Sequence, residues 1–383
     1  MTLLKPVSVD GLASVRWDDA RKAIGTDVIP LTVADMDYAT PQPVVDAVVA
    51  RAAAGNYCYT YLTDEYYDAV VEWMRDRHHW TITAEEIIAV GRMVESLPAI
   101  LRETVGEGAQ VVVPYPAYSP TPTAVRAAGC HVVPWSLKME GDRFVYDFDS
   151  LPFLLEDADA MVITNPHNPT CRVWTENELR RIATIAEQAG VLVISDEFHM
   201  DLTTPGHDFI PYLTCVDDPR TALAISFTSP GKTFNMAGLE TANIIVANSE
   251  LRGAVRQAID DAGCHNPRFF AQVATIAAYR KCGPWLDELL ESVRRHADQL
   301  TRTADELPGL TMGTPEGTYL AWLDFRGTGL NDAQFEELLA EQQLAFTPGI
   351  EFGNGGSGFM RVNLAVPDEL FDEAMTRLRK ALA

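Results

Sequence analysis

The sequence predicts an α/β protein in which a large domain, built on a mostly parallel sheet, carries a smaller α+β domain. Three observations predict it. From about residue 85 to 250, short β-branched runs alternate with stretches of helical period. After about residue 285 the alternation gives way to a long charged helical stretch, two isolated strand-like runs and a closing helix. The 383 residues exceed the roughly 100–200 of one domain, and the balance of 47% hydrophobic and 22% charged residues is that of a globular chain able to bury a large core. We expect residues 43–284 to form the large domain, and residues 1–42 with 285–383 the small one.

The strand-like runs are IIAV (87–90), VVVPY (111–115), HVVPW (131–135), AMVIT (160–164), VLVIS (191–195), ALAIS (222–226) and NIIVA (243–247). Several lack polar alternation, as strands covered on both faces should. Between them, residues 175–190 read as an amphipathic helix with Thr175 as N-cap, Glu178 completing a capping box and Gly190 at the end. The later pattern gives a helix over 285–306, a strand within 318–325 and a helix over 331–343. A Gly-rich loop (353–358), a strand within 359–365 and a helix over 367–381 follow.

Charge narrows the partners. A net charge of −24 repels phosphate backbones and anionic headgroups, and no Lys/Arg cluster opposes it, so neither nucleic acid nor a membrane surface is an expected partner. No apolar run approaches the roughly 20 residues that span a bilayer. The six cysteines show no C-x-x-C spacing, and the N-terminus has no basic region followed by an apolar one. The expectation is a cytoplasmic protein with reduced thiols.

Three polar clusters sit at or just after predicted strand ends, where open α/β sheets place ligands. They centre on Asn168 in TNPHNPTCRVW, Asp196 in VLVISDEFHMDL and Lys232 in AISFTSPGKTFNMAGL, 28 and then 36 residues apart. Taken singly, each has a structural reading: a turn former, a helix N-cap and a solvated loop lysine. SPGKT ends like a phosphate-binding P-loop, but that motif needs a glycine where Ser226 stands.

Together and in this order the clusters resemble the aminotransferase superfamily, with its pyridoxal-phosphate fold of a large and a small domain. That resemblance implies pyridoxal 5'-phosphate as cofactor, held by Lys232 as a Schiff base. It implies Asp196 on the pyridinium nitrogen, Asn168 on the phenolate oxygen and Tyr118, in PYPAYSP, stacked on the ring. GRMVESLPAI (91–100) resembles the family's turn into a helix that cups the phosphate, through the backbone of Met93 and Val94, and Ser229 adds a hydroxyl. Two departures are Glu95 inside that cup, which would repel phosphate unless turned away, and Glu240, where many aminotransferases carry an arginine.

The segments PLTVADMDY, YTYLTDEYYDAV, SDEFHMDL, KTFNMAGL, EGTYLAWLDF and FGNGGSGFMRVNLAVP are similar to the MalY/PatB family of cystathionine β-lyases, or C–S lyases, over almost the whole chain. The resemblance implies that His199 takes the place of a tyrosine beside the cofactor. It implies that Arg361 binds the substrate α-carboxylate with help from Asn168 and the backbone near Ala34. It also implies that Tyr59 reaches the phosphate of a neighbouring subunit, giving a homodimer with shared active sites. Cys58 and Cys171 stand where that family has glycine, and either would strain a turn that needs positive φ. The implied reaction is β-elimination on an S-substituted L-cysteine to a thiol, pyruvate and ammonia, with Lys232 as the base at Cα. Transamination and decarboxylating oxidative deamination of an S-cysteinyl conjugate, as in pathways to sulfur-containing antibiotics, begin at the same carbon and stay open. So does a second, regulatory role.

Overall fold

The computed structural model describes residues 2–383. Seven strands make one sheet, in the spatial order Ile87–Val90, Ala242–Ile245, Ala224–Thr228, Leu192–Asp196, Ala160–Thr164, Gln110–Tyr115, His131–Ser136. Successive residues alternate between two buried faces. Val111 and Val113 share a core with Leu97, Ile100 and Val125, while Val112 shares the other with Met161, Ile163, Leu179 and Ile182. That is the strand period of two, and burial on both sides explains the unbroken apolar runs. The covering helix Glu176–Ala189 begins and ends as its sequence dictates. Glu178 N donates to the Thr175 hydroxyl at 3.3 Å, the Glu178 carboxylate accepts from Thr175 N at 2.8 Å, and Gly190 closes the helix at φ 68°. A cap of this kind stabilises a helix by about 1 kcal/mol.

Two features differ from the sequence expectation. The run at 222–226 enters its strand only at Ala224, because the amides of Thr221 and Ala222 bond back to the Asp218 carbonyl while Asn248 Nδ2 donates to both their carbonyls. Ala242–Ile245 is antiparallel to both of its neighbours in an otherwise parallel sheet. It follows Ala224–Thr228 through the short loop that carries Lys232, with no crossover helix to return the chain for a parallel pairing.

A second sheet has the order Ile29–Leu31, Leu344–Pro348, Phe359–Asn363, Leu320–Asp324, Thr311–Met312, with helices Gly283–Glu306, Asp332–Glu341 and Asp368–Ala381 packed on it. Ile29–Leu31 lies parallel to Leu344–Pro348 and ties the N-terminal segment to this sheet. The apolar pattern does not mark these two short strands, nor the hairpin of Lys138–Glu140 and Arg143–Val145. No helix among the described residues is long and apolar enough to cross a membrane.

Register in the large sheet assembles the site. Thr164 lies opposite Asp196, and Asp196 opposite Phe227. The loops leaving the carboxyl ends of these three adjacent strands therefore emerge side by side, which brings Asn168, Asp196 and Lys232 to one edge.

Candidate active site

Lys232 lies in the single helical turn Pro230–Thr233, whose N-cap Ser229 accepts from Gly231 N at 3.0 Å. Asp201 pins this turn from behind: its carboxylate accepts from Thr233 Oγ1 at 2.6 Å and Trp73 Nε1 at 2.9 Å, and it shares a 2.7 Å hydrogen bond with His78 Nε2. The Lys232 amine therefore leaves a fixed base, and it donates to the Ala34 carbonyl at 2.6 Å. Burial first, and the Arg361 cation second, push it down to about 8, against the pull of Asp35 and Asp196.

Around the amine stand polar groups with incomplete partners. Asp196 is 8% exposed, accepts only from Phe198 N at 3.3 Å, and burial raises it to about 6. Burial holds His199 down to about 3, so its imidazole is neutral, and its Nδ1 is buried without a partner. Arg361 donates from Nη1 to Asn168 Oδ1 at 2.9 Å and from Nη2 to the Thr32 carbonyl at 3.2 Å, with its guanidinium 4.8 Å from the Phe352 ring centre. It is 6% exposed, makes no ion pair among the described residues, and leaves Nε unpartnered. Because a guanidinium only donates, the Asn168 amide must turn its oxygen to Arg361 and its NH2 away. Tyr118 is half-buried, and burial, then the nearby Asp196, raises its phenol.

The segment expected to cup the phosphate is the entry to helix Met93–Thr104, whose N-cap Arg92 makes no side-chain cap, so Met93 and Val94 begin the helix with the free amides of a first turn. Glu95 points to Arg268 at 2.7 Å, and Arg268 also holds Glu240 at 3.0 Å, while Arg92 pairs with Glu240 as well. Glu95, expected to repel a phosphate unless turned away, is thus turned to an arginine brought from elsewhere in the chain, and Glu240 is held between that arginine and Arg92 of the cup segment itself. The Ser229 hydroxyl donates to the Thr241 carbonyl at 2.7 Å, so it must let go of that carbonyl before it can donate to a phosphate.

Tyr59 stands apart. It is 95% exposed, in a run with exposed Tyr57, Cys58 and Tyr61. Of the two glycine replacements, only Cys171 takes positive φ, at 60°, and its buried thiol donates to the Leu320 carbonyl at 3.1 Å. Sequence reasoning passed over Tyr319, Asn363, Asn235 and Asp201, although each lies inside a quoted segment. They act on backbone or loops far away in sequence, and no local pattern marks that.

Residues 26–378 match the family model of aminotransferase class I and II. The chain belongs to the aminotransferase class I and II family. It is 33% identical to the cystathionine beta-lyase PatB of Bacillus subtilis (strain 168), over 97% of each chain. It is 32% identical to the protein MalY of Escherichia coli (strain K12), over 99% of this chain and 98% of that one. The crystal structure of cystalysin from Treponema denticola, which contains a pyridoxal 5'-phosphate cofactor, superposes with a TM-score of 0.94 at 31% identity. That match covers 99% of this chain and 98% of cystalysin.

Proposed function

We propose that this protein is a pyridoxal-phosphate-dependent C–S β-lyase that cleaves an S-substituted L-cysteine to a thiol, pyruvate and ammonia. The observation that carries the reading is a buried guanidinium without a counter-anion, Arg361, facing the same site as the lysine amine, in a chain one-third identical to a cystathionine beta-lyase. The unsatisfied groups fit the cofactor. Asp196 is a buried anion short of a cation, as the partner of a protonated ring nitrogen should be, and the Asn168 NH2 is turned away from Arg361 and free to donate to the ring oxygen.

Pyridoxal phosphate, when bound, supplies the electron sink that lets the Cα–H bond of the substrate break heterolytically. Arg361 takes the α-carboxylate through its fork, with Asn168 and the backbone near Ala34 completing the clamp. Tyr118 would cover the ring face, and His199, as a neutral imidazole, would stand beside it. The amides of Met93 and Val94, with Ser229, meet the phosphate. Lys232 Nζ removes the Cα proton, which its lowered basicity allows near neutral pH. The sulfur at Cβ then leaves with the C–S electron pair, and the released aminoacrylate takes up water to give pyruvate and ammonia.

The reading extends to a cytoplasmic homodimer, with residues 43–284 as the large domain and 1–42 plus 285–383 as the small one. The aromatic run Tyr57, Tyr59 and Tyr61 is an exposed patch that a second copy would cover, and there Tyr59 would reach the partner's phosphate. The six unpaired thiols agree with a reducing compartment. Purified protein incubated with L-cystathionine and with S-alkyl cysteines should yield pyruvate and thiol in equal amounts without any amino acceptor. An oxo acid that keeps its sulfur and appears only with an acceptor, or carbon dioxide with an aldehyde, would overturn the lyase reading.

A further inference from the structure

Residues 32–38 form a strap that both sheets hold by its backbone. From the small sheet, Arg361 donates to the Thr32 carbonyl, and Asn363 Nδ2 donates to the carbonyls of Val33 and Asp35 at 2.7 and 2.6 Å. From the lysine loop, Asn235 donates to the carbonyls of Met36 and Tyr38 at 3.2 and 2.7 Å, and its own oxygen accepts from Met36 N at 3.2 Å. At the centre, the Asp35 amide donates to the Val33 carbonyl at 2.9 Å, which closes a three-residue turn around Ala34 and fixes the direction of its carbonyl. Two donors converge on that one oxygen: Lys232 Nζ at 2.6 Å and the Tyr319 hydroxyl at 2.8 Å. Tyr319 is itself buried, edge-on to His199 with ring centres 5.8 Å apart.

We propose that the Ala34 carbonyl is the berth of the Lys232 amine whenever the lysine is not bonded to cofactor, and that Tyr319, by sharing this carbonyl, is a positioning residue that sets how readily the amine releases its proton. A carbonyl oxygen has two lone pairs, and here both are engaged. It holds an ammonium more strongly than a neutral amine, since charge-assisted hydrogen bonds are roughly twice as strong as neutral ones. Alone, the berth would therefore keep the lysine protonated and useless as a base. A second donor on the same oxygen draws down its negative charge and weakens that preference. The other groups facing the amine are Arg361 from the small sheet, Asp196 and His199 from the strand-end loop, and Asp35 from the strap, which Arg16 holds at 2.9 Å. Arg361 disfavours the ammonium and the two carboxylates favour it, so the Tyr319 contribution adds to that of Arg361. A substrate amine that displaces the lysine thus sends it to a fixed position next to the carboxylate clamp, in a state able to accept a proton.

The inference rests on the cofactor site proposed above, but its test uses the apoprotein. Competitive labelling of Lys232 with an amine-selective reagent across pH, with the Lys232 peptide quantified by mass spectrometry, gives the pKa of the free amine directly. Wild type should titrate near 8. Tyr319→Phe should titrate roughly one pH unit higher, and site-specific 3,5-difluorotyrosine at 319, a stronger donor of the same shape, should titrate lower. The fluorinated protein also decides the matter if Tyr319→Phe does not fold. An unchanged Lys232 titration with the fluorinated tyrosine, or a Tyr319→Phe shift to lower pH, overturns the proposal. With substrate, the acid limb of kcat should move up in Tyr319→Phe while KM stays put. A failed labelling shift would leave pyruvate formation untouched, and absent pyruvate formation would leave the labelling result standing.

Discussion

At the inner end of the site, Asp196, His199 and Arg361 are buried, and Arg361 has no carboxylate to face; at the outer end, Arg92, Glu95, Glu240 and Arg268 are partly exposed and neutralise one another. The difference is one of dielectric. A charge enclosed by protein and short of a partner is held in a costly state that a ligand relieves, and so it dominates recognition and chemistry. A half-exposed network that already balances itself has little left to give, because water and salt screen it. The same fold thus carries a strongly poised inner end and a weakly poised rim around one cofactor.

Mutations that separate the two ends should differ in size. Lys232→Ala removes both the proposed attachment point and the proposed base, and should lower kcat at least about 10³-fold; a residual rate within tenfold of wild type would show that the poised inner end does not perform the chemistry. Arg361→Ala would leave a substrate carboxylate buried without its proposed partner, a loss of about 2–5 kcal/mol, so kcat/KM should fall roughly 30- to 4,000-fold. Steady-state kinetics on an S-substituted cysteine measures both.

The inner end should also destabilise the apoprotein, with a defined pH sign. Asp196 titrates higher folded than unfolded, so the folded state prefers it protonated: its contribution to stability is fully present below pH 3.8 and is lost as pH rises through about 6. Asp196→Asn should therefore raise apoprotein stability by on the order of 3 kcal/mol at pH 8, with the gain fading as pH falls from 6 towards 4. Denaturant melts at the two ends of that range check it, and an equal gain at both would remove the titration as the cause. The smallest effect belongs to the rim. Arg268→Gln should weaken apoprotein affinity for pyridoxal phosphate by no more than about fivefold, and the loss should vanish in high salt. A loss as large as that of Arg361→Ala would erase the contrast between the ends.

Legibility in the sequence follows the same division. Asn168, Asp196 and Lys232 stand at the ends of apolar runs bounded by turn formers, so one local pattern reveals both the strand and the residue it presents. Thr175, Glu178 and Gly190 mark their helix for the same reason. Arg361 and His199 needed the surrounding motif as well. Tyr319, Asn363 and Asn235 could not be read, since each acts on the backbone of a strap about 200 or more residues away in the chain, as in the 285 residues separating Tyr319 from Ala34. The partner that turns Glu95 away from the cup could not be read, because Arg268 lies 173 residues from Glu95 and only folding brings them to 2.7 Å. Ile29–Leu31 carries too short a run, with a proline in it, to announce its pairing with Leu344–Pro348.

The proposed chemistry stands or falls on Lys232 as the residue that carries the cofactor. Holoprotein treated with borohydride and mapped by peptide mass spectrometry tests it most directly. A pyridoxyl group should appear on Lys232 and on none of Lys5, Lys22, Lys138, Lys281 or Lys380. A label on any of those five instead, or a cofactor that washes out unreduced, would contradict it.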